Sequence, residues 1–206
     1  NPLPDSSAVI NGPTPVCEGS TQTYFVNPVA GSTYFWFVSG GSLISTQNNV
    51  ANVFWSTAGT GTLSFYEVNA SGCLGPVLHT DVIVNPRPQP VALSGNQNVC
   101  DSALEVYQAP YNAGSTYQWI VSGGTVTTLS ANQDSATLQW IGPGTSSVWV
   151  SETNSFGCTS DTTLLDVSVY PRPQASALPD SGAVCQFSAF QLTGTANIGT
   201  IQWITS

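Results

Sequence analysis

The sequence predicts an all-β chain of tandem Greek-key β-sandwich domains arranged as a rod, and three observations carry that prediction. Apolar residues alternate with a period of two, as in Thr33-Tyr34-Phe35-Trp36-Phe37-Val38, and no stretch shows a helical period. Such runs recur at roughly ten-residue spacing between Gly, Asn and Pro clusters. The whole pattern then repeats. Trp36, Trp119 and Trp203 lie 83 and 84 residues apart, Cys17, Cys100 and Cys185 lie 83 and 85 apart, and Cys73 to Cys158 is 85. A period of this length is a domain rather than a solenoid rung. The expected division is residues 1–7 as the end of a preceding linker, 8–88 as repeat 1, 89–173 as repeat 2 and 174–206 as the N-terminal part of repeat 3.

In repeat 1, strand A is expected over residues 8–17, with a turn at Glu18-Gly19. Strand B follows over 21–26 and strand C over 33–38, closed by Gly40-Gly41. An edge segment near 42–45 precedes strand E over 51–55, strand F over 62–68 and strand G over 77–84. Repeat 2 shows the same series. Trp36 and Trp119 fall on the inward parity of strand C, and Trp55 and Trp140 on that of strand E. A core Trp on strand C is a mark of immunoglobulin-like sandwiches. By the repeat, Trp203 is expected to be a core residue too.

Asn85-Pro86-Arg87-Pro88 and Tyr170-Pro171-Arg172-Pro173 join the units, and Asn1-Pro2-Leu3-Pro4 is a variant. Alternating prolines fix φ and hold the preceding residues extended, so these joints are short, semi-rigid spacers.

Composition excludes several functions. Charged residues make up 6% of the chain, the net charge is −9 and the only cations are Arg87 and Arg172. Nucleic-acid binding by counterion release is not expected. No run of 18 apolar residues and no signal-like segment occurs, so this segment is expected not to insert into a membrane. Both Arg residues precede Pro, which leaves a trypsin-like protease without a good site. His79 stands alone, carboxylates are sparse and no nucleophile elbow or P-loop is present, so no catalytic residue and no enzyme activity are expected.

Five cysteines locked to the repeat predict disulfides in an oxidising compartment. Cys17 and Cys100 occupy A–B turns, Cys73 and Cys158 occupy F–G turns, and Cys185 opens the third repeat. Two pairings are open. Within-unit bonds would join Cys17 to Cys73 and Cys100 to Cys158. A cross-joint bond would join Cys17 to Cys158 and leave Cys73 and Cys100 for neighbours outside the chain. In an immunoglobulin-like topology the A–B and F–G turns lie at opposite ends of a unit, roughly 20 Å apart. A disulfide needs Cα atoms about 4.4–6.8 Å apart, so this polarity favours the cross-joint bond.

The series Ile10-x-Gly12, Val16-Cys17-Glu18-Gly19, Tyr34-x-Trp36-x-Val38-x-Gly40-Gly41, Val68-Asn69-x-x-Gly72-Cys73 and Val82-x-Val84-x-Pro86-x-Pro88 resembles the PKD-like (immunoglobulin-like) repeats of secreted Bacteroidota proteins. Those repeats occur in surface adhesins, gliding-motility-associated proteins and exported multidomain enzymes. The resemblance implies a secreted, cell-surface-attached protein and a structural or adhesive stalk, with an accessory or carbohydrate-binding module of a secreted enzyme as the alternative. It also implies that phylum's O-glycan acceptor pattern at Ser102 and Ser135, and more loosely at Thr162.

Further sites follow from parity and position. Glu18 and Asp101 sit at the ends that carry Arg87 and Arg172, so Arg87–Glu18 and Arg172–Asp101 ion pairs are expected to brace the joints. Glu67 and Glu152 have inward parity and must be satisfied by hydrogen bonds, a cation or a metal. No cofactor is expected: a hydrogen-bonded structural role is expected ahead of Ca²⁺, because no dense run of Asx ligands accompanies them. Phe35, Phe37 and Tyr66 face outward together, and Trp149 appears on the corresponding face of repeat 2. Such a patch suits stacking on glycans or lateral self-association, alongside the neighbouring repeats as partners.

Overall fold

The computed structural model describes residues 3–4, 6–179, 182–186 and 188–204, and every regular element among them is a strand. Unit 1 comprises β1 (Val16–Cys17), β2 (Ser20–Phe25), β3 (Thr33–Ser39), β4 (Ser42–Gln47), β5 (Val50–Trp55), β6 (Gly59–Val68) and β7 (Leu78–Asn85). Its sheets have the orders β1-β7-β6-β3 and β2-β5-β4. Unit 2 repeats this with β8 (Asn98–Cys100), β9 (Leu104–Gln108), β10 (Thr116–Ser122), β11 (Gly124–Leu129), β12 (Ser135–Trp140), β13 (Gly144–Thr153) and β14 (Thr163–Tyr170). Its orders are β8-β14-β13-β10 and β9-β12-β11. Each unit is therefore an immunoglobulin-like sandwich, because sequential strands such as β2 and β3 lie in opposite sheets.

The expected continuous strand A is divided between the two sheets. Asn11 bridges Phe25 on β2, whereas Val16–Cys17 runs parallel to β7 in register with Val84 and Asn85. Pro13 and Pro15 lie between these contacts and lack the N–H that a ladder requires. Unit 2 makes the same crossing, from the Ser94–Gln108 bridge to β8 against β14.

Alternation on β3, β5 and β6 sends one face of each strand inward. Tyr34, Trp36, Val53, Trp55, Leu63 and Phe65 are buried in unit 1, with Val82 and Val84 from β7. In unit 2 the corresponding cluster contains Leu138, Trp140, Val148, Val167 and Val169, with Trp119 half-buried against it. Burying each large side chain contributes about 1.5–3 kcal/mol.

At the centre of each core a tyrosine meets the strand-E tryptophan edge to face, Tyr24 with Trp55 at 6.1 Å and Tyr107 with Trp140 at 5.8 Å. Tyr24 donates to Pro13 O at 2.9 Å and accepts from Trp55 Nε1 at 3.0 Å. Tyr107 donates to Asn96 O at 2.5 Å. Gly12 and Gly95 lie against these rings, and a Cβ on either would meet the ring Cδ1 at 2.2 and 2.1 Å. Only hydrogen fits there.

The third segment departs from expectation at its tryptophan. Trp203 is 53% exposed, because the segment contributes only β15 (Ala175–Leu178) and β16 (Thr193–Ala196), paired with each other and with no facing sheet among the described residues.

Candidate functional site

The chemistry of this chain concentrates at the joint between unit 1 and unit 2. Each unit has a lower end, where its A–B turn lies, and an upper end, where its F–G turn lies. At the lower end of unit 1 the turn is pinned by Glu18 N–H donating to Asn85 O at 2.9 Å and Gly19 N–H donating to Trp55 O at 2.7 Å. Cys17 is thereby fixed beside the end of β7. At the upper end of unit 2, Asn154 Oδ1 accepts from Phe156 N–H at 3.1 Å and Cys158 N–H at 3.0 Å. That Asx turn presents Cys158 toward unit 1. The corresponding turn in unit 1 is built identically, Asn69 Oδ1 accepting from Ser71 N–H at 3.0 Å and Cys73 N–H at 2.9 Å.

Cys17 and Cys158 form a disulfide, with Cα atoms 5.6 Å apart and a sequence separation of 141. The bond crosses the joint, so the within-unit pairs Cys17–Cys73 and Cys100–Cys158 are not made. Cys73, Cys100 and Cys185 carry free thiols.

Arg87 seats the same joint, with a partner other than the one expected. Its guanidinium donates from Nε to Thr159 O and from Nη2 to Asp161 Oδ1, both at 2.6 Å. Arg87–Asp161 is the salt bridge found among the described residues. Glu18 instead accepts from the Arg87 backbone N–H at 3.4 Å. The side chain crosses the joint because the linker leads it directly toward the F–G turn of the next unit. The expected Arg172–Asp101 pair is likewise not formed. Asp101 Oδ1 accepts from Gly142 N–H at 2.8 Å, folding its short side chain back onto its own unit. Asn154 Nδ2 adds a third contact by donating to Pro86 O at 2.9 Å.

Glu67 and Glu152 are 4% and 3% exposed and sit at the upper ends of their units, each beside a surface cleft. Ser32 Oγ donates to Glu67 Oε1 at 2.5 Å. Glu152 accepts from Ser115 Oγ at 2.6 Å and from Asn112 Nδ2 at 3.0 and 2.9 Å on its two oxygens. Hydrogen bonds thus stabilise both carboxylates, and no group of three potential metal-ligating side chains occurs among the described residues.

The outward aromatics of unit 1 form a ladder across two strands. Phe35 stacks on Tyr66 at 4.8 Å and 13°, and Phe37 meets the same ring at 5.6 Å and 27°. Phe35 and Phe37 are 43% and 45% exposed. In unit 2 the corresponding face carries Gln118 and Ile120, with Trp149 half-buried between Ile120 and Leu164 in the ladder. Of the acceptor-pattern residues, Ser102 is exposed in a turn and Thr162 is exposed just before β14, whereas Ser135 is half-buried and paired with Gln108 as the first residue of β12.

Sequence reasoning missed Asp161 and Asn154 as joint residues, and Tyr24, Tyr107, Gly12 and Gly95 as the central lock of each core. The Gly that recurs twelve residues before a buried Tyr, Gly12 before Tyr24 and Gly95 before Tyr107, was the available signal for the second group.

A family model described as a PKD-like domain matches residues 3–77 and 86–167. No curated protein sequence matches the chain. Among solved structures, the SGBP-B protein of the Bacteroides ovatus mixed-linkage glucan utilization locus, in complex with a mixed-linkage heptasaccharide, is similar at 16% identity and TM-score 0.30. That match covers 82% of this chain, and the chain spans 45% of the solved one. The fibronectin(III)-like modules of Clostridium thermocellum CbhA match at 15% identity and TM-score 0.39, over 79% of this chain and 95% of theirs. A marsupial T cell receptor matches at 12% identity and TM-score 0.42, over 84% and 77%.

Proposed function

The chain belongs to the PKD-like domain family, and from that premise we propose that it is a non-catalytic, disulfide-braced spacer in a large exported protein of the bacterial cell surface. In this reading the parent is a Bacteroidota adhesin, filament or gliding-motility-associated protein, and its repeats form a rod that holds a functional tip away from the cell. The observation that carries the reading is the Cys17–Cys158 bond across the joint. A bond inside one unit stabilises that unit alone. A bond between units removes a hinge, which serves a protein whose task is to keep distance. It also fits an oxidising, extracytoplasmic location. Ca²⁺ and O-glycans are not needed for this role.

The free thiols allow a direct test. Spin labels on Cys73 and Cys100, in a Cys185→Ser background, place one probe on each unit. The oxidised protein is expected to give a single narrow distance distribution that widens in Cys17→Ser/Cys158→Ser, which removes the brace without adding a third thiol. Equal widths refute the brace. A hydrolase domain beside these repeats in the parent would overturn the stalk assignment.

The Phe35–Tyr66–Phe37 ladder favours a second reading, a carbohydrate-binding accessory module of a secreted enzyme. Aromatic faces stack on the C–H faces of sugar rings. Glycan-array binding at millimolar affinity or tighter, lost in Tyr66→Ala, would support it; a silent array removes it.

A further inference from the structure

The joint supplies a template for a second docking surface. The lower end of unit 2 repeats the lower end of unit 1 part by part. Cys100 ends β8 as Cys17 ends β1, and Asp101 N–H donates to Tyr170 O at 2.8 Å as Glu18 N–H does to Asn85 O. Arg172 holds the place of Arg87 in the Pro-Arg-Pro linker. Cys100 is exposed and carries a free thiol.

The F–G turns show what such an end accepts. Opposite Arg87 the turn reads Asn154-Ser155-Phe156-Gly157-Cys158-Thr159-Ser160-Asp161, with Asp161 taking the guanidinium. In the upper turn of unit 1, Asn69-Ala70-Ser71-Gly72-Cys73-Leu74-Gly75-Pro76, a proline replaces that acid. The linker leading into unit 1 carries Leu3 where the other linkers carry Arg. Charge on the linker and charge on the turn thus change together.

We propose that the lower end of unit 2, formed by Cys100 and Arg172, is a docking surface for the F–G turn of a further PKD-like unit following in the same polypeptide. The partner turn has the form Asn-x-x-Gly-Cys-x-x-Asp. Its cysteine forms a disulfide with Cys100, and its aspartate receives Arg172. The surface continues the architecture of the established joint, and Arg172, which forms no salt bridge among the described residues, selects the acid-bearing turn over the Pro76 type. The inference rests on the spacer reading and adds a rule for which unit follows which. Bond closure proceeds by two exchange steps. The Cys100 thiolate displaces one thiol from a small-molecule disulfide, and the partner thiolate then displaces the second, so two thiols leave and the two protein sulfurs are oxidised.

The test is a chain in which residues 89–173 are inserted a second time after Pro173, which recreates the Pro-Arg-Pro-Gln-Pro junction. After refolding with oxidised and reduced glutathione, non-reducing peptide mass spectrometry is expected to find Cys17–Cys158 and a bond from Cys100 to the inserted copy's Cys158. Arg172→Ala is expected to slow closure of the second bond by up to about fivefold. An Asp161→Pro change confined to the inserted copy should slow it equally, with no further loss when the two are combined. Cys100 left free while Cys17–Cys158 forms overturns the proposal and leaves the spacer reading intact. Cys100 joined instead to Cys73 of another molecule also overturns it. Loss of both bonds counts against the spacer reading itself.

Discussion

Breaking the Cys17–Cys158 bond should change how many steps the protein takes to unfold. If unit 1 unfolds while unit 2 stays folded, the bond closes a loop of about 70 residues, from Cys17 to the linker at Arg87, and the loop-entropy relation assigns that state a penalty of about 4 kcal/mol. If unit 2 unfolds alone, the loop from the linker to Cys158 is of similar length and the penalty is again about 4 kcal/mol. When both unfold, one loop spanning the separation of 141 residues remains, and its penalty is only about 5 kcal/mol. The half-unfolded states are therefore raised nearly as far as the fully unfolded one. This coupling of about 4 kcal/mol makes the second unit unfold with the first. Guanidinium titration followed by tryptophan fluorescence tests it, since unit 1 carries Trp36 and Trp55 and unit 2 carries Trp119, Trp140 and Trp149. The oxidised protein should show one transition with an m-value near that of both units together. Cys17→Ser should show a lower midpoint and a smaller apparent m, as the units unfold separately. Two separate transitions in the oxidised protein, matching those of the variant, would refute the reasoning.

Gly95→Ala places a Cβ 2.1 Å from Tyr107 Cδ1, and the overpacking should cost about 1–3 kcal/mol in chemical denaturation; an unchanged midpoint would show that the ring moves freely. Arg87→Ala should cost no more than about 1 kcal/mol, because the side chains of its ion pair with Asp161 are 38% and 72% exposed. It should still widen the Cys73–Cys100 distance distribution measured in a Cys17→Ser/Cys158→Ser/Cys185→Ser background, where the brace is absent and only these two thiols remain. Burial is the main cause that pushes the Tyr107 hydroxyl from 10.0 up to about 12. The neutral phenol is favoured by folding, so its stabilising contribution is complete below pH 10 and declines as pH rises toward about 12. Tyrosinate absorbance and unfolding free energy, measured together across that window, check this; stability that is flat through it would contradict it.

The sandwich was legible because its strands are short and alternate cleanly, so Tyr34, Trp36, Val53 and Trp55 identify their own faces. The cross-joint bond was half legible. Strand polarity placed Cys17 and Cys73 at opposite ends, but choosing a partner 141 residues away depends on how two units meet. Arg87 was assigned to Glu18 because both belong to one end of one unit. Its guanidinium reaches Asp161 through a linker geometry that local pattern does not encode. Strand A was expected as one piece because its apolar residues continue to Cys17, yet both units change sheets midway, at Pro13–Pro15 in unit 1 and at Gly95-Asn96-Gln97 in unit 2. Trp203 shows the opposite limit. Its apolar alternation follows the other copies, with Ile201 in place of their Tyr, but burial needs a second sheet, and β15 with β16 supplies only one. The Glu152 partner Asn112 was hidden too, since unit 1 has Val29 at the equivalent loop position.

The disulfide at the joint gives the chain two covalent routes from unit 1 to unit 2, one through the Pro-rich peptide and one through sulfur. A single backbone cut anywhere from Pro86 to Pro90 would therefore leave the halves attached. Under tension, failure requires a peptide bond and a disulfide to break at the same place. Damage that would sever an ordinary tether becomes, here, a nick that the protein can carry.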